Sequence, residues 1–109
     1  MLQPELAEKI VKEVQKLIAE EIIVVNTEGM IMASTNRNRI GTFHEGALIT
    51  SQQKKKLIIT EKETPQLKGV KSGINLPIFF QHDVIGVIGI TGDPETVTPF
   101  GEIIRKMTE

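Results

Sequence analysis

The sequence of 109 residues predicts an α+β domain in which helices cover a small antiparallel sheet. Residues 3–20 carry apolar side chains at helical spacing, whereas several later runs are β-branched and end in turn residues. The strongest of these runs, residues 69–92, has two apolar segments around a polar turn and predicts a β-hairpin. Both faces of this hairpin carry apolar residues, so helices or a partner must cover both sides. The predicted order is helix, two strands, helix, three strands, helix.

The first predicted helix spans residues 3–20. Pro4 suits its first turn, and Glu5 suits the positive end of the helix dipole. Its expected partner is either the aliphatic face of the hairpin or the same helix in a second copy of the chain. The predicted apolar stripe consists of Leu6, Ile10, Val14, Leu17 and Ile18.

Three further strands and a last helix complete the predicted order. Residues 21–26 and 30–34 read as strands joined by a turn, and residues 56–61 read as a third strand. The last helix is expected to begin near Thr98, with Pro99 in its first turn. Its predicted apolar stripe consists of Phe100, Ile103, Ile104 and Met107.

The hairpin register follows from the length of its turn. A three-residue turn at residues 81–83 would place Phe80 opposite Val84, whereas a two-residue turn would shift the register by one. The three-residue turn gives one aliphatic face, made of Ile74, Leu76, Ile78, Ile88 and Ile90.

On the opposite face, far from the turn, the same register creates a small polar patch. Asn75 would lie opposite Gly89, and Gly73 opposite Thr91. Glycine inside a strand costs stability and marks a close approach of another group. The patch is therefore either a ligand site or the seat of a tightly packed helix.

The loop before the second helix predicts an anion site. Thr42 and Glu45 form a capping-box pattern, so the helix should run from Thr42 to about Gln53. This pattern would leave the amides of Phe43 and His44 free to contact an anion at the helix N-terminus.

Basic side chains stand close to that helix start. Arg37 and Arg39 precede it, and a guanidinium can give a carboxylate two parallel hydrogen bonds. Gly41 allows close approach of the backbone, and His44 could donate to a hydroxyl or a second carboxylate. We therefore predict a cleft for a small acid between this helix and the polar patch.

Composition excludes several other classes. The net charge of −1 gives no nucleic-acid signal, and the absence of cysteine excludes disulfides and zinc sites built on thiolates. No apolar run approaches the roughly 20 residues that span a bilayer, so we expect a cytoplasmic domain without membrane contact. Glycines in residues 84–92 lie inside a strand and not in a phosphate-binding turn. An acid–base enzyme using His44 and Glu45 is disfavoured because the cap engages Glu45, so we predict no catalysis. We also predict no bound metal and no cofactor.

Three motifs resemble one known family. They are SxxRxRIGxxHEGA at residues 34–47, GVxxGINLPI at 69–78 and VIGVIGITGxPE at 84–95. They are similar to the sugar diacid recognition domain, the N-terminal sensor of carbohydrate diacid regulators. The resemblance implies a PAS-like five-stranded antiparallel sheet flanked by helices, in one sensor domain over residues 1–109. It also implies a glucarate, galactarate or glycerate type of ligand and a C-terminal helix-turn-helix domain outside this chain.

The resemblance also carries over ligand-binding positions. Arg37 is the least certain of them, because its position varies in the family. Asn26 and Asn36 depart from the family pattern, which often has aspartate there. The predicted ligand-binding residues are Ser34, Arg37, Arg39, Ile40, Gly41, Phe43, His44, Gly73, Asn75, Pro77, Thr91 and Gly92.

The predicted function is therefore ligand sensing that controls DNA binding by the missing C-terminal domain. This domain itself would not contact nucleic acid, and its terminal helices would form a homodimer. The alternative is a PAS-like dimerisation module that binds no small molecule.

Overall fold

The computed structural model describes the backbone of residues 2–108 and the side chains of residues 2–104. Its antiparallel sheet has five strands in the order β2-β1-β5-β4-β3. The predicted α+β class, with a five-stranded antiparallel sheet flanked by helices, is confirmed. Two short 3-10 turns, Arg37–Arg39 and Thr64–Gln66, are additions that the sequence pattern does not reveal. In chain order the main elements are α1 (Pro4–Gln15), β1 (Glu21–Val25), β2 (Ile31–Ser34), α2 (Glu45–Gln53), β3 (Leu57–Ile59), β4 (Gly73–Phe80), β5 (Asp83–Thr91) and α3 (Pro94–Thr108).

The sheet is covered on both faces, as its two apolar sides require. Helix α3 packs on the predicted aliphatic face of the β4–β5 hairpin, and helix α1 packs beside it on β1 and β2 of the same sheet face. This layer forms the larger core. Helix α2 packs on the other face, where Ala47 joins Ile23, Val25, Ile31 and Val87 in a smaller cluster. The polar patch lies on this second face.

The stripe predicted for the first helix is right in part: Val14 and Ile18 are buried and Ile10 packs partly buried against the core, but Leu6 and Leu17 do not. The helix ends at Gln15, and Leu6 and Leu17 are exposed by 42% and 54%. Small side chains at positions 7 and 11 allow the helix to approach the sheet more closely than leucine would. The helix buries Ala7, Val11 and Val14, and Ile18 of the following connection joins the same core.

Helix α3 begins earlier than predicted, at Pro94, because Asp93 caps it by accepting a hydrogen bond from the amide of Glu95 at 3.0 Å. Pro99 consequently lies inside the helix and not in its first turn. Ile104 is buried as predicted, but Phe100 and Ile103 are exposed. The side chain of Met107 lies outside the described residues.

The hairpin turn has two residues, so the predicted three-residue turn is wrong. Gln81 and His82 form it with φ angles of 51° and 75°, the left-handed conformation that tight hairpin turns require. Phe80 therefore lies opposite Asp83 and not opposite Val84.

A β-bulge restores the register further along the hairpin. Ile78 pairs with Gly86 whereas Phe79 pairs with Val84, so β5 has one extra residue at this point. Beyond the bulge Asn75 lies opposite Gly89, as predicted. The polar patch therefore has the predicted register, because the shorter turn and the bulge compensate each other.

Candidate functional site

The polar patch of β4 and β5 carries a buried asparagine beneath helix α2. Asn75 is 3% exposed, and a Cβ atom on Gly89 would lie 3.0 Å from its side-chain oxygen. On the helix, a Cβ atom on Gly46 would lie 3.4 Å from the side-chain nitrogen of Asn75 and 2.5 Å from Ile59. The glycines thus make room both for a closely packed helix and for the amide of Asn75.

A small polar cavity remains between helix α2 and the sheet. Its volume is about 10 Å³, which is the space of a single water molecule. The cavity is lined by Ile23, His44, Lys71, Gly73, Ile74, Asn75, Gly89, Ile90 and Thr91.

His44 is the N-cap of helix α2, a role that the sequence pattern assigned to Thr42. Its Nδ1 accepts a hydrogen bond from the amide of Ala47 at 2.9 Å, whereas the Thr42 hydroxyl donates to the carbonyl of Arg39. The predicted capping box is therefore wrong. Because Nδ1 is an acceptor, the proton of the neutral ring is on Nε2, which becomes a donor.

The imidazole of His44 is neutral at pH 7. Burial, together with the positive charge of Arg39, lowers its pKa from 6.5 to about 4. His44 is only 3% exposed. It therefore offers the cavity a hydrogen-bond donor without a net charge.

Two buried polar groups at the cavity have no partner in the part of the chain that the structure describes. Among the described side chains, none forms a hydrogen bond with Nε2 of His44 or with the side-chain amide of Asn75. Every fully enclosed polar side-chain atom in this part of the chain does have a partner, so both groups keep contact with open space. Buried polar groups in proteins are almost always hydrogen-bonded. The cavity therefore presents a donor and an amide that can bind a polar ligand.

Arg39 lies beside this cavity and is held by the protein. Its Nη1 donates to Oε2 of Glu21 at 2.8 Å, and its Nη2 donates to the carbonyl of Gly69 at 2.7 Å. Its side chain is 11% exposed, so it does not extend into bulk solvent. Lys71 also contacts Glu21, with its Nζ 3.2 Å from Oε1.

Glu21 and Lys71 are the charged residues that sequence reasoning missed. The sequence did contain one signal for Glu21, which is a charged residue at the start of an apolar strand. In the structure, the register places Glu21 opposite Thr91. Lys71 precedes the strand motif and gave no comparable signal.

The amides at the start of helix α2 are mostly engaged. The amide of His44 donates to the carbonyl of Gly29 at 2.7 Å, so the prediction that it is free is wrong. The amide of Glu45 donates to the carbonyl of Lys68, and Oε1 of Glu45 accepts from the amide of Lys68. The Glu45 side chain therefore ties the helix start to the loop before β4.

Four of the predicted site residues line the cavity: His44, Gly73, Asn75 and Thr91. Arg39 does not line it but lies close enough for its charge to lower the pKa of His44. Four others shape the loop that carries Arg39 and do not line the cavity: Ser34, Arg37, Ile40 and Gly41.

The remaining three predicted residues also lie outside the cavity lining. Phe43 is partly exposed beside Gly29, Pro77 is buried further along β4, and Gly92 follows β5 against Val97. Their contact with a ligand stays a prediction.

Within the described residues no group of acidic or histidine side chains could hold a metal ion. In the same part of the chain, no helix has the length and apolar character needed to cross a membrane.

The sheet, with one helix over a small polar cavity on one face and two helices on the other, has the same fold as solved GAF domains. The GAF domain of the Acinetobacter phosphoenolpyruvate-protein phosphotransferase superposes with a TM-score of 0.64 at 13% identity, over 89% of this chain and 74% of that one. The A. aeolicus nlh2 GAF domain in an inactive state gives 0.62 at 18% identity, over 100% of this chain and 82% of that one. The chain belongs to the family described as "Putative sugar diacid recognition", whose model matches residues 2–109.

Two curated relatives match almost the whole chain. The chain is 58% identical to the uncharacterized protein YsfB of Bacillus subtilis and 38% identical to the carbohydrate diacid regulator of Escherichia coli. Each match covers 99% of this chain, but only 29% and 28% of these relatives. The chain thus spans less than a third of their length.

Proposed function

We propose that this domain senses a small hydroxylated acid of the glucarate, galactarate or glycerate type. The observation that carries the proposal is the pair of buried groups without protein partners, His44 Nε2–H and the Asn75 amide, at a cavity beside the Arg39 guanidinium. Membership of the sugar diacid recognition family and similarity to a carbohydrate diacid regulator support it.

In this proposal the site binds the carboxylate and the hydroxyl groups of its ligand with different residues. Cationic side chains beside the cavity bind a carboxylate, because a guanidinium gives charge-assisted hydrogen bonds. His44, Asn75 and Thr91 bind hydroxyl groups from the cavity wall. Neutral His44 suits this role, since it donates to a hydroxyl oxygen without a charge that would attract every anion equally.

The site must widen to admit a ligand. A cavity of about 10 Å³ holds no molecule larger than water. The loop that carries Arg39 and His44 forms one wall, and the loop before β4 forms another. A ligand that binds only the widened form shifts the population toward it, which is what a sensor requires.

The output of the proposed sensor passes through the opposite face of the sheet. Helices α1 and α3 pack there, and a homodimer through the terminal helices is suited by exposed apolar side chains on them and just after α1. These are Leu6, Leu17, Phe100 and Ile103. DNA binding would belong to a helix-turn-helix domain outside this chain, in the cytoplasm. The same exposed residues favour a second candidate, a dimerisation module without a ligand.

Differential scanning fluorimetry with a panel of acids separates the two candidates. A saturable rise in Tm with glycerate, glucarate or galactarate is expected, because a ligand that binds only the native state stabilises it. Succinate is the matched control, since it has two carboxylates and no hydroxyl. Absence of a shift with every acid, together with concentration-dependent association, would favour the dimerisation module.

A further inference from the structure

We infer that Arg39 and Lys71 form the carboxylate-binding pair of the site, and that Glu21 is an internal carboxylate which the ligand's carboxylate displaces. This inference rests on the proposed function and deepens it. It names the second cation of the pair and the group that occupies the pair before a ligand binds.

Glu21 engages both cations at the same time. Its Oε2 accepts from Nη1 of Arg39 at 2.8 Å, and Nζ of Lys71 lies 3.2 Å from Oε1 and 3.4 Å from Oε2. The remaining contact of Arg39, to the carbonyl of Gly69, holds the guanidinium in place without using the carboxylate. The guanidinium therefore keeps its position when one carboxylate replaces another.

Exchange of one carboxylate for another keeps the electrostatics of the cluster almost constant. Burial alone would raise the pKa of the Glu21 carboxyl, but hydrogen bonds from Arg39 and Lys71 outweigh burial and hold the pKa below its ordinary value. Removing the carboxylate without replacement would leave the Arg39 guanidinium, which is 11% exposed, without its charged partner, which is costly. Lys71 is exposed and would keep contact with water. A ligand carboxylate avoids this cost, so the exchange is far easier than simple departure of Glu21.

Glu21 has open space to receive it after displacement. The same residue lines an open groove of about 690 Å³ between the end of helix α1 and the loop after β2. The other lining residues are mostly polar, so a carboxylate that turns into the groove regains water. The groove is lined by Gln15, Ile18, Ala19, Glu20, Glu21, Thr35 and Asn36.

Lys71 connects the cation pair with the polar cavity. It lines that cavity together with His44 and Asn75, the two residues whose polar groups have no partner among the described residues. A carboxylate held by Lys71 and Arg39 therefore places the adjoining carbon of an acid near a neutral donor and an amide. The pair supplies attraction for any carboxylate, and the cavity selects acids that carry a neighbouring hydroxyl.

Displacement of Glu21 also gives the site a path to the terminal helix. Glu21 is the first residue of β1, and residues 16–20 connect it to α1. It ties this connection to the loops that carry Arg39 and Lys71. Ligand binding would release this tie.

Isothermal titration calorimetry with glycerate and glucarate tests the displacement. Glu21→Gln keeps the size of the side chain but weakens its hold on both cations, so it should tighten binding roughly ten-fold if Glu21 blocks about nine-tenths of the sites. Glu20→Gln is the matched control, because Glu20 lines the same groove without contact to either cation. Equal or weaker binding by Glu21→Gln than by wild type would overturn the inference.

A second experiment does not depend on the identity of the ligand. In Glu21→Ala the cation pair lacks its carboxylate, so acetate should raise the Tm of this variant saturably, and chloride at the same ionic strength should not. Glu20→Ala and the double variant Glu21→Ala/Lys71→Met should show no such acetate effect. Lack of a specific acetate effect in Glu21→Ala would refute the carboxylate-binding pair. If wild type binds neither acid while acetate rescues Glu21→Ala, the pair stands and the proposed ligand class fails.

Discussion

The side-chain oxygen of Asn75 lies over Gly89, its partner across the β4–β5 hairpin, 3.0 Å from where a Cβ atom of that residue would stand. This relationship positions the side-chain amide of Asn75, the one such amide among the described residues that line the cavity. Position 89 thus needs glycine because the side chain of Asn75 lies where a Cβ atom would crowd it, and not because of the backbone conformation of Gly89.

Gly89→Ala should destabilise the domain and disturb the site together. The new Cβ atom would meet Ile23 at 2.7 Å and the Asn75 oxygen at 3.0 Å, so both side chains must move. Overpacking of this kind costs about 1–3 kcal/mol of unfolding free energy. Urea denaturation measures the loss, and Asn75→Ala should recover part of it in the double variant. An unchanged midpoint for Gly89→Ala would contradict this packing.

The stability of the domain should depend on pH through His44. Its pKa is about 4 in the folded protein and about 6.5 when unfolded, so its contribution is full above pH 6.5 and is lost as the pH falls toward 4. A difference of this size corresponds to on the order of 3 kcal/mol of unfolding free energy.

His44→Asn isolates this contribution, because asparagine still caps the helix but does not titrate. Urea denaturation from pH 7 to pH 4 should show a smaller loss of stability in this variant than in wild type. His82→Asn is the control, since His82 lies in the exposed hairpin turn and asparagine tolerates its positive φ. Parallel pH profiles for wild type and His44→Asn would show that His44 titrates normally.

Much of the sheet could be predicted from the sequence because β-branched runs and turn residues report local structure directly. The register of the polar patch was also right, although the turn length behind it was wrong. The extra residue at the bulge between Ile78 and Phe79 compensated for the shorter turn. No local pattern shows a bulge inside a continuous apolar strand, so this agreement depended on tertiary structure.

The helix cap and the ion cluster show what local patterns miss. Thr42 fits a capping box, but its hydroxyl donates to Arg39, and the buried imidazole of His44 takes the cap instead. Glu21, Arg39 and Lys71 are distant in sequence and meet only because the start of β1 and two loops converge. Sequence could propose Arg39 as a ligand contact, but it could not reveal that a carboxylate of the chain already holds it.

Arg39→Ala should lower stability and abolish ligand-dependent stabilisation. The variant loses the ion pair with Glu21 and the hydrogen bond to Gly69, which together contribute about 1–3 kcal/mol. It also loses the cation for the ligand carboxylate. Fluorimetry with glycerate or glucarate measures both effects in one experiment.

Arg37→Ala tests whether every arginine of this loop contributes. Arg37 is exposed and does not line the cavity, so the structure predicts that the variant keeps the ligand-induced rise in Tm. Loss of that rise in Arg37→Ala would restore the sequence-based prediction that Arg37 contacts the ligand. A ligand response that survives Arg39→Ala would remove Arg39 from the site.

Asn75 and Thr50 are both buried polar residues, but only one of them has a partner. The Thr50 hydroxyl donates to the carbonyl of Gly46 at 2.9 Å, whereas the Asn75 side chain has no partner among the described residues. Thr50→Val should therefore cost about 0.5–1.5 kcal/mol of unfolding free energy, because it leaves that carbonyl with one bond fewer. Asn75→Leu removes an amide whose burial is not compensated, so it should leave the ligand-free protein at least as stable as wild type.

The two variants should then separate stability from binding. Asn75→Leu loses the ligand-induced rise in Tm because its side chain fills the cavity with hydrocarbon, whereas Thr50→Val keeps the rise on a lower baseline. Chemical denaturation gives the baselines, and fluorimetry with the same acid gives the response. A marked loss of stability in ligand-free Asn75→Leu would mean that the amide supports the fold, and the case for a binding role would fall with it. The opposite result identifies Asn75 as a residue retained at a cost to stability, which is expected of a group that binds a ligand.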